Sequence, residues 1–460
     1  MQSRSRLLSI DRIVIREPSF SDRKFVATYY VDGEEVELEA KYDLPLKPNK
    51  QDMRVMAIAP LVNYSLFTDQ IEADFNLTKA DLDFIKKMMV INSREVYVNK
   101  LLFRQEFFNS DAIPENPNIE EASYSPSVKI GVEENERVEV KRNGSVAVMS
   151  SGGKDSLLTY GLMHEVGANV FPIFINESGG HWRTAVTAYN YFKVNDANTL
   201  RVWTTIDRFY KKLNSKVSAL NERALKMWSD TYPIQLFIFP VYILLSLPYI
   251  NNYGISAVLK GDEFDDPRGF HPASGIPHFN GIYDQTQQFD IEMTNYFKKI
   301  GYGVKFYSVL RGITGLVEER ILFQRYPHLA LLQRSCHSCH IEDRSIVPCG
   351  KCSKCNGVLL FLMANSINPE LLNYKREDIE DFKMNYENKL FRLDEDEKQH
   401  ALYIISGGNS GALKEHVEKI HEDPEWCDPD MIDERWRDSV MKIVGEYTKG
   451  KTRLENGEWT

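Results

Sequence analysis

Apolar residues recur along this chain at two periods, and the change from one to the other divides it into regions. Up to about residue 45 the period is two: Ser9–Arg16 and Lys24–Tyr30 are β-rich, and Asp32-Gly33 is a hairpin turn leading into Glu34–Ala40. From Gln51 to about Phe108 the spacing becomes helical, in AIAPLVNYSLF and in LDFIKKMMVI. Pro114, Pro117 and Pro126, set among Asn, Glu and Ser, mark a linker. From Gly144 the periods alternate, with strands at 145–150, Asn169–Ile175, Leu200–Thr204, Ile255–Lys260 and Val304–Val309. Helices are expected near 154–166, 182–193, 285–300 and 313–325. The run PIQLFIFPVYILLSLPYI, Pro233 to Ile250, is nearly long enough to span a bilayer, but Pro233, Pro240, Pro248 and Gln235 make it a long helix buried against a sheet. Beyond Cys355 the chain reads as helical, apolar at 357–364 and charge-rich from Tyr374.

Strands alternating with helices of this length predict an α/β fold, a doubly wound parallel sheet of βαβ units. The expected organisation is an α+β accessory domain over 1–140 and an α/β domain over 141–330, then a cysteine-knuckle segment over 331–370 and a helical C-terminal region over 371–460.

Chemistry concentrates at Ser145–Leu158, SVAVMSSGGKDSLL, which reads as strand, glycine turn, helix. Two glycines let the backbone approach a ligand, and the first N–H groups of the helix point outward at its positive end, so the turn is an anion site. It departs from the common phosphate loop, because Gly153-Lys154 is followed by Asp155 and the residue five before Gly153 is Val148. An acid among phosphates is costly unless a cation is shared, so Asp155 points to Mg²⁺ with a nucleotide.

In doubly wound sheets ligands bind outside the carboxyl ends of the strands. That rule gathers the 151–156 loop, Asn176 with Glu177, Asp262-Glu263, and Ser308 with Arg311. Asp262 and Glu263 could bind a second Mg²⁺ or the substrate, or form a solvated acidic loop with Asp265 and Asp266. Gln285 and Gln288 could read an amide-like or purine-like edge, or simply cap a helix. Arg311 could clamp a substrate carboxylate, and His181 is an acid/base candidate. Ile405–Gly411 imitates the nucleotide loop without its acid and reads as a turn and N-cap.

The net charge of −10 over 460 residues argues against nonspecific nucleic-acid or anionic-membrane binding. The N-terminus, MQSRSRLLSIDR, lacks the apolar core of a signal peptide, so a cytoplasmic chain is expected. Five of the six cysteines fall between Cys336 and Cys355, which is metal-site clustering rather than a disulfide framework. Cys349, Cys352 and Cys355 form one knuckle, with Gly350 easing the turn. Cys339, nine residues before Cys349, is the expected fourth ligand, with Cys336 as its alternate and His337 or His340 as substitutes. Four thiolates make a closed Zn²⁺ site, with an iron–sulfur cluster as the competing reading.

The run Ser151-Gly152-Gly153-Lys154-Asp155-Ser156 is similar to the signature of the PP-loop ATP pyrophosphatases, which cleave ATP to AMP and pyrophosphate. Followed by Cys-x₉-Cys-x₂-Cys-x₂-Cys, it resembles QueC, the 7-cyano-7-deazaguanine synthase family, over roughly residues 144–365. The resemblance implies a HUP-type fold, ATP, Mg²⁺ and Zn²⁺. It places pyrophosphate on the N–H groups of Gly152 and Gly153, the hydroxyls of Ser151 and Ser156, and Asn176. Lys154 would neutralise the pyrophosphate or face solvent, and Asp155 would share the Mg²⁺, which makes Asp155, Lys154 and Ser156 the catalytic set. The segment Asp262–Asp290, with Tyr283-Asp284-Gln285-Thr286-Gln287-Gln288-Phe289-Asp290, looks more like a divergent branch that includes MurL, an ATP-dependent epimerase of a muropeptide's terminal glutamate. Other QueC-like proteins of that branch are associated with antiphage defence operons, and some join a deazaguanine to a protein amine.

The implied reaction is activation of a small-molecule carboxylate, 7-carboxy-7-deazaguanine-like, by ATP, then attack by ammonia or an amine, a protein amine included. The alternatives are MurL-like epimerisation and a nucleotide-binding regulatory protein without turnover. No membrane or nucleic-acid partner is expected, and a homodimer is left open.

Overall fold

The structure, a computed structural model, describes residues 6–179, 182–227, 232–264, 275–279, 282–336, 338–343 and 345–460. It is an α/β fold around one eleven-stranded, mixed and mostly parallel sheet. In chain order the strands are β1 (Ile10–Ile15), β2 (Ser19–Ser21), β3 (Lys24–Val31), β4 (Glu34–Tyr42), β5 (Thr68–Thr78) and β6 (Ser127–Glu133), followed by β7 (Val146–Ser150), β8 (Val170–Asn176), β9 (Leu200–Thr204), β10 (Ala257–Leu259) and β11 (Lys305–Tyr307). Their order across the sheet is β11-β10-β7-β8-β9-β4-β3-β1-β5-β6, with β2 beside β3.

Sequence pattern accounts for the two halves. β3 alternates half-exposed and buried residues along KFVATYYV, as expected where one face is more covered than the other. β7 buries Val146, Ala147, Val148 and Met149 in succession, which requires both faces to be covered. The halves join where β4 pairs antiparallel with β9, Ala40 opposite Thr204 and Tyr42 opposite Val202. The first 140 residues therefore contribute strands to the same sheet that carries the glycine turn.

Three expectations are corrected. The helical stretch from Gln51 to Phe108 is interrupted by β5, which lies between β1 and β6, and the linker around Pro126 leads directly into β6. The expected long helix over 233–250 is two short ones, Phe239–Leu245 and Leu247–Asn252. Pro240 and Pro248 each stand in a first turn, where a missing N–H leaves no hydrogen bond unmade. The C-terminal region contains the helices Arg376–Asn385, Glu395–Ile405 and Glu434–Gly445, but also a short parallel pair, Ile420–His421 with Lys451–Thr452. Among the described residues, no helix is long and apolar enough to cross a membrane.

The connections locate the ligand-binding edge. From β7 the chain steps to β8 and β9 on one side, then places β10 and β11 on the other. The reversal falls between β7 and β10, and the crevice at the carboxyl ends of two such strands is where open α/β sheets bind ligands.

Candidate functional site

β7 ends at Ser150, and the chain turns through Ser151, Gly152 and Gly153 into the helix Lys154–Glu165, with Gly153 as its N-cap. Gly152 has φ +77°, and a Cβ there would lie 3.0 Å from the Thr184 carbonyl oxygen and 3.1 Å from Ala185 Cα. Both conditions select glycine. Gly152→Ala should therefore lower stability by about 1–3 kcal/mol, read as a fall in the denaturant midpoint at unchanged slope. The loop is braced from within. The Gly153 N–H donates to Ser151 Oγ at 3.3 Å, the Ser151 N–H to Ser156 Oγ at 3.3 Å, and Ser156 Oγ to the Gly153 carbonyl at 3.2 Å. Ser156 is buried and holds the loop's shape, while Ser151 is exposed.

Lys154 reaches across the reversal to the end of β10. Its ammonium donates to Glu263 Oε2 at 2.5 Å and to Glu318 Oε2 at 3.1 Å, and it also pairs with Asp155 Oδ1. Glu318, on the helix Gly315–Arg325, is fully buried. Burial pushes its carboxyl well above the ordinary range; Lys154 opposes that shift, and Glu263 and Asp155 reinforce it. Burial likewise pushes Glu319 and Glu397 up to about 8, with Lys154 opposing in both cases. Glu397 belongs to the C-terminal helix Glu395–Ile405 and accepts the Leu316 N–H at 3.3 Å. Carboxylate oxygens of Asp155, Glu263 and Glu318 all lie within 4.8 Å of one another. That donor set suits a hard divalent cation such as Mg²⁺.

Asp262 and Glu263, expected to act together, part company. Asp262 turns into a buried network in which Lys260 Nζ meets Asp262 Oδ2 at 2.9 Å and Asp290 Oδ1 at 3.0 Å. Arg311 joins Asp262 at 2.7 Å, Asp290 at 2.8 Å and the Gln285 carbonyl at 2.8 Å. Arg311 is thus engaged by two carboxylates of the chain itself, and Gln285 contributes its backbone. Gln288 is exposed on its helix and apart from this network, whereas the neighbouring Gln287 is buried and bonds the backbone of Pro424 and Asp428. Ser308 Oγ donates to the Asp262 carbonyl at 2.7 Å. Asn176 ends β8 and accepts the Ser178 N–H at 2.9 Å, an Asx turn rather than an outward-directed amide oxygen. His181, His337, Asp265 and Asp266 lie outside the described residues.

The acids that the sequence reading missed carried a signal. In ITGLVEERILF, Glu318 shares a helical face with Ile321 and Leu322, both fully buried, so an acid stands on a core face. A cavity of about 780 Å³ lies elsewhere, lined by Pro45, Val138, Pro248, Asn251 and Tyr302 among others. Several of these residues precede β7, β10 or β11, which puts it at the amino edge of the sheet, away from the reversal's ligand edge.

The cysteine cluster consists of Cys336, Cys349, Cys352 and Cys355 and could hold a metal such as zinc. Cys336 and Cys352 stand 3.9 Å apart at sulfur, and Cys349 and Cys355 stand 3.8 Å apart. Tetrahedral Zn–S bonds of about 2.3 Å put sulfurs about 3.8 Å apart. Among the described residues the fourth sulfur of the cluster is therefore that of Cys336, the expected alternate, and not that of Cys339. The Cys349 N–H donates to Cys336 Sγ at 3.4 Å, docking one knuckle on the other, while Cys339 leads into the hairpin His340–Glu342 and Ser345–Val347. His340 pairs with Glu342 at 2.8 Å instead of joining the cluster. Gly350, φ +70°, passes so close to Asp378 that a Cβ would lie 2.3 Å from its Oδ2. Two residues before Cys336, the Arg334 N–H donates to the Gly152 carbonyl at 3.0 Å, so the thiolate segment touches the glycine turn directly.

The loop at Ile405–Gly411 is a turn as expected, although it closes the helix before it: Ser406 Oγ accepts the Ser410 N–H at 2.9 Å. No family model matches the chain, and no curated protein matches its sequence.

Proposed function

We propose that this chain activates a small-molecule carboxylate with ATP, releasing pyrophosphate, at the reversal between β7 and β10. One observation carries the reading: the glycine turn with Lys154 and Asp155, Glu263 beyond β10 and Glu318 on a later helix are three separate parts of the chain that meet at that one strand edge. The Gly153 and Ser151 N–H groups are spent inside the loop, so the amino end of the helix that follows is what would bind a polyphosphate, and the three carboxyl groups beside it call for a divalent cation that joins the two. Mg²⁺ bound there supplies charge neutralisation for the departing pyrophosphate.

In this reading the amino end of the helix Lys154–Glu165 and the exposed Ser151 hydroxyl orient the polyphosphate. Ser156 keeps the turn in shape, and Asp155, Glu263 and Glu318 would hold the cation. An in-line attack by the substrate carboxylate then forms the bond to the α-phosphorus as the bond to pyrophosphate breaks. An amine or ammonia displaces AMP in a second step. The zinc-type centre is structural, because four thiolates leave no open position. The HUP-type resemblance and the deazaguanine substrate belong to the same proposal, supported by the motif order along the chain.

Incubation with ATP and 7-carboxy-7-deazaguanine should yield AMP and a deazaguanine amide, nitrile or protein adduct by mass spectrometry. AMP formed only with a glutamate-ended muropeptide would assign the epimerase reaction instead. Absence of AMP with every carboxylate offered would leave a nucleotide-binding regulator.

A further inference from the structure

Lys154 stands where a metal ion would. Its ammonium contacts one oxygen from each of Asp155, Glu263 and Glu318, the same three side chains whose oxygens lie within 4.8 Å of one another. Octahedral Mg²⁺ with bonds of about 2.1 Å places neighbouring oxygens about 3 Å apart and opposite ones about 4.2 Å apart. Such an ion and the ammonium compete for one small volume. One ammonium faces three carboxyl groups, one of which, Glu318, burial pushes toward its neutral form. Glu318 Oε1 is buried with no hydrogen-bond partner among the described residues, so the site has coordinating capacity that Lys154 does not use. Lys154 is also the first residue of its helix, next to the glycine turn, and its side chain is 14% exposed rather than sealed in.

We infer that Lys154 is an internal competitor for the divalent cation, occupying the three-carboxylate site until a cation displaces its ammonium toward the bound polyphosphate. This rests on the proposed nucleotide site and adds a coupling to it. Without polyphosphate, a cation entering the site must break three ion pairs. With polyphosphate present, the released ammonium gains a new anionic partner. Cation and polyphosphate thus bind cooperatively through one side chain, and by linkage each raises the affinity for the other.

The test uses Mn²⁺ alone, without nucleotide, on the full chain and on Lys154→Met and Glu263→Gln. Lys154→Met should bind Mn²⁺ at least about tenfold more tightly than the parent chain. In the parent chain, saturating Mn²⁺ should raise acetylation of Lys154 by acetic anhydride several-fold, read by peptide mass spectrometry. Equal Mn²⁺ affinity in the parent chain and Lys154→Met, with Glu263→Gln weaker than both, would overturn the competition while leaving the cation site and the proposed function standing. Tighter binding by Lys154→Met without a rise in Lys154 acetylation in the parent chain would also overturn it, since the lysine would then act only through its field. No Mn²⁺ binding by any of the three would overturn the inference together with the cation's part in the proposed reaction.

Discussion

Asp155→Ala should reduce pyrophosphate release by about 100-fold or more while the chain still folds. Asp155 is the one carboxylate of the triad that belongs to the glycine turn's own helix, so it alone links the cation to the polyphosphate's cradle. Its removal leaves Lys154 paired with Glu263 and Glu318, which keeps the local packing, and its side chain is 34% exposed, so little buried surface is lost. The stability change should stay within about 1 kcal/mol, as for a partly exposed side chain outside the core. Pyrophosphate release and a thermal melt separate the two effects. Full turnover in the variant would remove the cation from the proposed role, and loss of folding would give Asp155 a structural one.

Cys336→Ser should strip the chain of its metal, whereas Cys339→Ser should retain about one zinc per chain. The two residues are three apart and both buried, so sequence distance and burial do not separate them; the sulfur positions do. Structural zinc sites contribute roughly 10–16 kcal/mol in small domains, comparable to the whole stability of an ordinary fold. Losing that term should release the segment from Arg334 to the helix Ser353–Ala364, whose N-cap is Cys352. Because the Arg334 N–H holds the Gly152 carbonyl, exchange of hydrogen for deuterium should rise in the glycine turn as well as in the thiolate segment. Elemental analysis and hydrogen exchange check both halves. A brown protein with charge-transfer absorption would make the centre iron–sulfur.

The sequence revealed most where one physical requirement dominated. VAVM followed by two glycines and an acid leaves few alternatives, because a strand covered on both faces cannot be polar and a turn at φ +77° favours glycine. β5 was hidden for a specific reason. Ile71 and Phe75 stand four apart, the spacing of a helix, and a register shift between Glu72 and Asn76 interrupts the two-residue period. The paired prolines at 240 and 248 were read as obstacles to a membrane span, but each also starts a helix. At the site, the glycine turn and Glu263 were legible from strand ends. Glu318, Glu319 and Glu397 were not, because they come from helices whose approach to the turn depends on long-range packing. Arg311 and Asp262 carried the right charges for a substrate clamp, yet charge alone does not tell whether the partner is a ligand or the chain's own Lys260 and Asp290.

The seam between β4 and β9 has a consequence for dissecting the protein. A fragment begun at residue 141 would leave β9 with bare amide and carbonyl groups along one side, and the aromatic partners Tyr42 and Tyr249, 5.2 Å apart, would be separated. Tyr302 and Tyr296 would also lose the buried carboxylates they bond, Asp52 and Asp81, each at 2.7 Å. An unprotected strand margin of that kind recruits other chains. The piece that resembles a free-standing nucleotide domain in sequence would be a sticky half-sheet in solution, and its silence in an assay would say nothing about the chemistry of the intact chain.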